Sequence, residues 1–173
     1  MDGILIIDKP DGITSHDVVS RCRRILRTKR IGHTGTLDPF ATGVVVILVE
    51  KATRLAQFLD KDAKEYEAVA RFGFETDTGD RTGIFKDEGR RMNEDETAEI
   101  LKQTDWNEIF KQFRGEILQT PPMYSAKKVE GKKLYELARK GVEIERKAVK
   151  VNIYNLEILK DQSPKTKDQI AFR

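Results

Sequence analysis

The sequence predicts an α+β fold, with a mixed, mostly antiparallel sheet flanked by helices. Three observations lead there. Short branched apolar runs, GILIID at 3–8 and VVVILV at 44–49, have the length of strands. Two segments, 15–27 and 94–113, carry apolar residues at helical spacing. These two kinds of segment are interspersed without the regular strand–helix–strand rhythm of a parallel sheet. The 173 residues suffice for one domain with a real core, or for two small ones.

The elements follow in order. Residues 3–8 are expected to form a buried strand, ended by the turn Lys9-Pro10-Asp11-Gly12. Thr14 and Ser15 offer N-caps for a helix running to about residue 27. Its apolar positions, Val18, Val19, Cys22, Ile25 and Leu26, share one face, so Cys22 is expected in the core rather than as a reactive thiol. The stretch 32–43 reads as a loop dense in Gly, Thr and Pro. Residues 44–49 form a second buried strand, and 52–59 a short helix. The stretch 65–74 alternates as a strand, with Tyr66, Ala68, Ala70 and Phe72 on one face and Val69 on the other. Residues 75–92 make a long exposed loop with room for one hairpin. The stretch 94–113 is helical, with a break near Thr104-Asp105, where Asp105 caps a second helix. A strand at 116–120 ends at Pro121-Pro122. A polar excursion over 123–141 holds a short helix at 134–140. A long strand covers 149–159, and another opens at residue 170 with nothing to close it, which reads as a fold incomplete at its C-terminus.

Charge narrows the function. Lys+Arg number 32 and Asp+Glu 29, a net of +3, so a nucleic-acid binder of this composition must segregate its charge. Three basic stretches do so. One holds Arg21, Arg23, Arg24, Arg27, Lys29 and Arg30; a second Lys127, Lys128, Lys132, Lys133, Arg139 and Lys140; a third Arg146, Lys147 and Lys150. Each is equally consistent with a solvated helix face. The single cysteine excludes an intramolecular disulfide framework and a Cys-based zinc cluster. No run approaches the roughly 18 to 20 apolar residues of a membrane span, and the N-terminus lacks a signal-peptide cleavage site. A cytoplasmic protein that does not contact membrane is expected. There is no GxxxxGK[ST], GxGxxG or HExxH, so neither a nucleotide cofactor nor a zinc site has support. Asp77-Thr78-Gly79 matches the short aspartic-protease signature but lacks its apolar flanks. Asp77, Asp80 and Asp87 lack an EF-hand pattern and read as an acidic solvated loop.

The loop GHTGTLDPFATG, 32–43, is where chemistry concentrates. Asp38 sits among Gly35, Thr36, Pro39 and Thr42, directly before an apolar strand. A carboxylate held there can serve as nucleophile or general base. It can equally be an Asx-turn that caps its own backbone. His33 is either a second ligand contact or a turn histidine, and Tyr66 either a core edge or a stacking platform. A hydrolase built on Asp38 and His33 is an unrelated reading of the same loop.

Gly32-His33-Thr34-Gly35-Thr36-Leu37-Asp38-Pro39, followed by Phe40-Ala41-Thr42-Gly43, resembles the catalytic loop of the TruB family of tRNA pseudouridine synthases. Three more stretches resemble the family in the same order: GILIIDKPDGITSHDVV from Gly3; Lys64-Glu65-Tyr66 with Gly73 and Thr76-Asp77-Thr78-Gly79-Asp80; and QTPPMYSAK from Gln119 with Gly131-Lys132 and LYELAR from Leu134. The resemblance implies the pseudouridine synthase fold. It makes 1–173 part of the catalytic domain, with an RNA-clamping insertion at about 123–148. It implies isomerisation of a T-loop uridine of tRNA, position 55, without metal or organic cofactor. Asp38 becomes the catalytic aspartate, attacking C1′ or removing the C2′ proton. Tyr66 stacks on the target base, His33 contacts the flipped nucleotide, and Gly35 and Thr36 line the same site. Lys9 and Pro10 support the loop, and Arg24, Arg30, Lys127, Lys128 and Lys132 are candidate RNA contacts. The implied partner is the T-arm of tRNA, without guide RNA; the guide-dependent branch of the family is the variant of this reading. The family's Gly-Thr-Tyr-Ile-Arg-like stretch, which carries an arginine partner for the aspartate, does not occur here, nor does its C-terminal RNA-binding domain. A further part of the enzyme is therefore expected to complete the site, leaving this chain weakly active or inactive alone. The alternative is a non-catalytic RNA-binding fragment of the same family.

Overall fold

A computed structural model describes residues 1–59, 62–86, 92–125, 128–129, 132–138, 141–159 and 166–173. The chain divides into two compact units, Met1–Lys64 and Glu65–Arg173. It is α+β, as expected, and every described strand pairing is antiparallel.

The first unit is a three-stranded sheet with one helix laid across it. Its strands are β1 (Gly3–Lys9), β2 (Ile31–Thr34) and β3 (Gly43–Val49), in the order β1-β3-β2. The helix α1 spans Ser15–Leu26. Thr14 is its N-cap: the Thr14 hydroxyl accepts from the Asp17 amide, and the Asp17 carboxylate accepts from Thr14. This reciprocal box satisfies two amides that a helix start leaves without partners. Arg27 ends the helix in the left-handed region, φ 52°.

Opposed residues in an antiparallel pair share a face. The register places Ile7, Ile31, Val45, Ile47 and Val49 on the face that receives Val18, Val19 and Cys22 of α1. Cys22 is core, as its spacing predicts. The other face carries Ile4, Ile6 and Val44 together with Val46 and Leu48. β3 is buried at Val45, Ile47, Leu48 and Val49, as expected, whereas most of β1 is exposed, which corrects the expectation of a buried strand there. Ile6 is 63% exposed and Val44 64%. An edge strand with one covered face needs apolar residues on that face only, so an unbroken apolar run does not report double burial. Ile25 is also exposed, although it lies in the apolar stripe of α1. A 3-10 helix, Glu50–Leu55, leads into α2 (Ala56–Leu59) where one short helix was expected.

The second unit contains β4 (Ala68–Arg71), α3 (Glu94–Gln103), α4 (Trp106–Lys111), β5 (Gly115–Gln119), β6 (Lys128–Val129), β7 (Lys132–Lys133), α5 (Leu134–Ala138), β8 (Val149–Ile153) and β9 (Gln169–Phe172). Three two-stranded sheets result: β4-β9, β5-β8 and β6-β7. The strands expected at 65–74 and 149–159 are thus shorter, and the β6-β7 hairpin was not expected. The helical break is where it was predicted. Asp105 caps α4 by accepting from the Asn107 and Glu108 amides. Asn93 caps α3 through a second reciprocal box with Glu96. A run of aromatic rings links these elements: Phe72 to Trp106 at 5.5 Å, Trp106 to Phe110 at 5.9 Å, and Phe110 to Phe172 at 6.4 Å between centroids. Arg71 pairs with the buried Asp168 at 2.8 Å, and Phe72 donates its amide to the Asp168 carbonyl. Thr166 also donates to the Asp168 carboxylate. The Thr166 hydrogen bond first, and then the hydrogen bond and charge of Arg71, hold the Asp168 pKa below its ordinary value, against the opposing effect of desolvation.

Candidate active site

The Asp38 loop is built on three anchors, contributed by the last residue of β1, the turn that follows it and the first residue of α1. The first is Lys9. Its side chain is 0% exposed, and its ammonium donates to the carbonyls of Pro10 at 2.9 Å, Ile13 at 2.7 Å and Pro39 at 3.2 Å. An ammonium has three donors, and each has found an acceptor. The second anchor is Gly12, which donates its amide to the same Pro39 carbonyl at 2.8 Å. Gly12 has φ +85°, a conformation that a side chain would strain. The third is Ser15. Its hydroxyl accepts from the Leu37 amide at 2.9 Å and lies 3.4 Å from the Leu37 carbonyl, to which it donates. The Leu37 side chain packs against the sheet–helix core.

Asp38 lies between these anchored neighbours. Its carbonyl closes a turn by accepting from the Ala41 amide at 3.0 Å. Its side chain is exposed, and among the described residues no hydrogen bond or ion pair engages its carboxylate. The Asx-turn reading therefore does not describe this loop: the backbone is held by other groups, and the carboxylate projects uncommitted.

His33 belongs to β2, opposite Ile47, so part of the expected loop is a strand. Its Nδ1 is 2.6 Å from the Gly35 carbonyl. A carbonyl only accepts, so Nδ1 carries the proton, and in the neutral ring Nε2 is the acceptor. Gly35 presents that carbonyl from φ +73°, which a residue with a side chain adopts only under strain. Thr36 is exposed beside it. The structure thus gathers Lys9, His33, Gly35, Thr36 and Asp38 in the first unit. Pro10 contributes a carbonyl to the Lys9 cluster.

Tyr66 belongs to the second unit, two residues before β4, and is 58% exposed. Arg24 and Arg30 are exposed on the first unit, and Arg30 donates to the Thr53 hydroxyl at 3.2 Å. Lys128 and Lys132 lie in β6 and β7. Lys127, Arg139, Lys140 and Asp87 lie outside the described residues. Asp77 accepts from the Ile84 amide at 2.7 Å within a hairpin closed by a Thr76–Phe85 bridge, so it serves the loop itself. Among the described residues no His, Cys, Asp and Glu cluster could hold a metal. A cavity of about 480 Å³ in the second unit is lined by Thr78, Met123, Tyr124, Val142 and Arg146 among others. Gly12 and Ser15 are the anchors that the sequence reading named only for a turn and for a helix cap; for Ser15 a stronger signal was present. Its signal was the tandem Thr14-Ser15: only one of the two can be the N-cap, and the other hydroxyl is free to bond elsewhere.

The fold is an α+β scaffold whose Asp38 loop is held on both sides by buried groups, and comparison with known proteins gives its family. Residues 23–173 match the model of the TruB family pseudouridylate synthase N-terminal domain. The chain belongs to that family. It is 51% identical over 159 residues to tRNA pseudouridine synthase B of Solibacter usitatus, covering 92% of this chain and 52% of that protein. It is 49% identical to the Aquifex aeolicus protein of the same name, covering 92% of this chain and 53% of the relative. The chain thus spans about half the length of these relatives. Among solved structures it is similar to a Cbf5-Nop10-Gar1 complex, with TM-score 0.60 and 29% identity over 98% of this chain and 38% of that one. An H/ACA RNP bound to a substrate RNA containing 2'-deoxyuridine gives TM-score 0.56 and 26% identity, over 98% of this chain and 36% of that one.

Proposed function

We propose that this chain carries the aspartate-bearing part of a tRNA pseudouridine synthase that isomerises a T-loop uridine, position 55, with Asp38 as the catalytic carboxylate. One observation carries the reading: Asp38 is exposed and uncommitted, while both its neighbours are anchored through buried side chains. The reaction breaks the N1–C1′ bond, forms a C5–C1′ bond, releases the C5 proton and returns a proton to N1. It needs no water, oxidant or cofactor. Asp38 attacks C1′ or removes the C2′ proton. Both steps require a carboxylate that keeps a fixed position while uracil detaches and turns. A T-loop uridine must first leave its stack, at a cost of a few kcal/mol. Phosphate contacts from Arg24, Arg30, Lys127, Lys128 and Lys132 offset that cost. Tyr66 stacks on the base and His33 Nε2 faces the flipped nucleotide, with Gly35 and Thr36 beside it.

The domain reading extends this. Residues 1–173 form part of a catalytic domain, and 123–148 form a clamp that retains the RNA. A later segment of the enzyme supplies the cationic partner for Asp38, so the chain alone is weakly active or inactive. The 51% and 49% identity to proteins named tRNA pseudouridine synthase B, against 29% to the Cbf5-Nop10-Gar1 complex and 26% to the H/ACA RNP, favours bare tRNA as substrate without guide RNA.

The test is tritium release from tRNA carrying 5-tritiated uridine, since release reports loss of the C5 proton. Two forms are compared, the chain itself and the chain joined to the C-terminal half of the Aquifex aeolicus relative. Release by the joined form, abolished by Asp38→Asn, is the expected result. Equal release by parent and Asp38→Asn sinks the catalytic role. Binding of tRNA with no turnover by any form favours the non-catalytic RNA-binding reading.

A further inference from the structure

We infer that Ser15 is a positioning residue for the Asp38 carboxylate, holding the N-terminal side of the loop as Lys9 and Gly12 hold the other. The inference rests on the catalytic reading of Asp38 and deepens it. Ser15 is the first residue of α1 and is 1% exposed. Its hydroxyl takes no part in the helix cap, because Thr14 and Asp17 complete the reciprocal box between themselves. It turns instead to a residue 22 positions away and engages both backbone groups of Leu37. A buried hydroxyl that engages both backbone groups of one distant residue is a fastening.

The arrangement is a two-sided cradle. Leu37 is tied through its amide and carbonyl to Ser15 and through its side chain to the core. Pro39 is tied through its carbonyl to Lys9 and Gly12. Asp38 is the one residue between the two ties. Both ties end on a single seven-residue segment, Lys9 to Ser15, so the carboxylate is referenced to one rigid turn. Catalytic groups need to be held to within about half an ångström of the productive geometry. A misplacement of about 1 Å can lower a rate by roughly a hundredfold. Ser15 touches no reacting atom in this account. It acts through the backbone of Leu37.

The test compares Ser15→Ala and Ser15→Thr with the parent by two independent readouts. The first is amide hydrogen exchange on the chain itself. Ser15→Ala is expected to lose protection at the Leu37 amide while Val19 and Cys22 of α1 keep theirs. Unchanged Leu37 protection overturns the inference. Loss of protection throughout α1 also counts against it, because the residue would then hold the unit rather than the loop. The second readout is tritium release by the form that turns over tRNA. Ser15→Ala is expected to lower kcat by roughly tenfold to a hundredfold with KM changed less than about threefold. Ser15→Thr, which keeps the hydroxyl, is expected to recover part of that loss. A parent-like kcat in Ser15→Ala sinks the positioning role. If Asp38→Asn itself retains turnover, the catalytic reading has failed, and the exchange readout still decides whether Ser15 fastens the loop.

Discussion

Lys9 is the residue on which most of the first unit's polar bookkeeping converges. A lysine with no exposed surface is uncommon, since its charge must be fully coordinated once water is gone. Here three carbonyls do that coordinating. Methionine would fill the same volume and leave those carbonyls without the ammonium. The Pro39 carbonyl would keep the Gly12 amide, whereas those of Pro10 and Ile13 have no other partner among the described residues. A buried acceptor left alone costs about 1 to 3 kcal/mol. Pro10 is an exposed residue, where water can replace the ammonium, so the half-buried Ile13 carries most of the loss. Lys9→Met is therefore expected to destabilise the unit by about 1 to 3 kcal/mol, measured by urea unfolding followed by circular dichroism. A loss below about half a kcal/mol would show that water replaces the ammonium at little cost. The sequence placed Lys9 beside the loop only through resemblance, because no local rule assigns a lysine to the interior. Asp38 and His33 were visible as chemical types in a Gly-rich loop. That the Asp38 carboxylate is uncommitted was not, because an Asx-turn and a free carboxylate have the same sequence.

Among the elements, those with local determinants were legible. α1, α3 and α4 start at Thr14, Asn93 and Asp105, and their caps are made by residues within three positions. β2 was not legible, since Gly32, His33 and Thr34 pair only because β3 offers partners at Leu48, Ile47 and Val46. The β4-β9 pair depends on contacts still more distant in the chain. Arg71 on β4 binds Asp168 at the threshold of β9, 97 residues away. The pH dependence of that tie follows from its sign. Asp168 titrates below its ordinary 3.8 when folded, so the folded state binds fewer protons there. Its stabilisation is complete above about pH 4 and is lost as the pH falls through the lowered folded value. Asp168→Asn lacks this contribution at every pH. The Tm gap between parent and variant is therefore expected to be constant from pH 7 to about 4.5 and to narrow towards pH 2. A gap that persists unchanged to pH 2 would remove the ionised carboxylate from the account.

At the scale of the molecule, the exposed part of the first sheet around β1 is the feature that hydrophobic patterning misreads. A strand covered on both faces and one covered on a single face can have the same branched apolar composition, because both favour Val and Ile in the pleat. Ile4, Ile6 and Val44 are then exposed on the face opposite α1, an apolar patch beside the buried Leu48. Such patches promote association in a free chain. The strand that bears Ile4 and Ile6 is also a sheet edge with β3 on one side only, which adds unpaired backbone groups to the same region. Ile6→Thr keeps the branched shape that suits a strand and replaces the ethyl group on Cβ by a hydroxyl. Because Ile6 is already mostly exposed, the substitution is expected to leave Tm within about 2 °C of the parent. It is expected to lower concentration-dependent light scattering at the same time. The two measurements separate the causes. Reduced scattering at constant Tm assigns association to this face, whereas unchanged scattering moves it to another surface. A large fall in Tm would mean that Ile6 is packed in solution and that the face is covered.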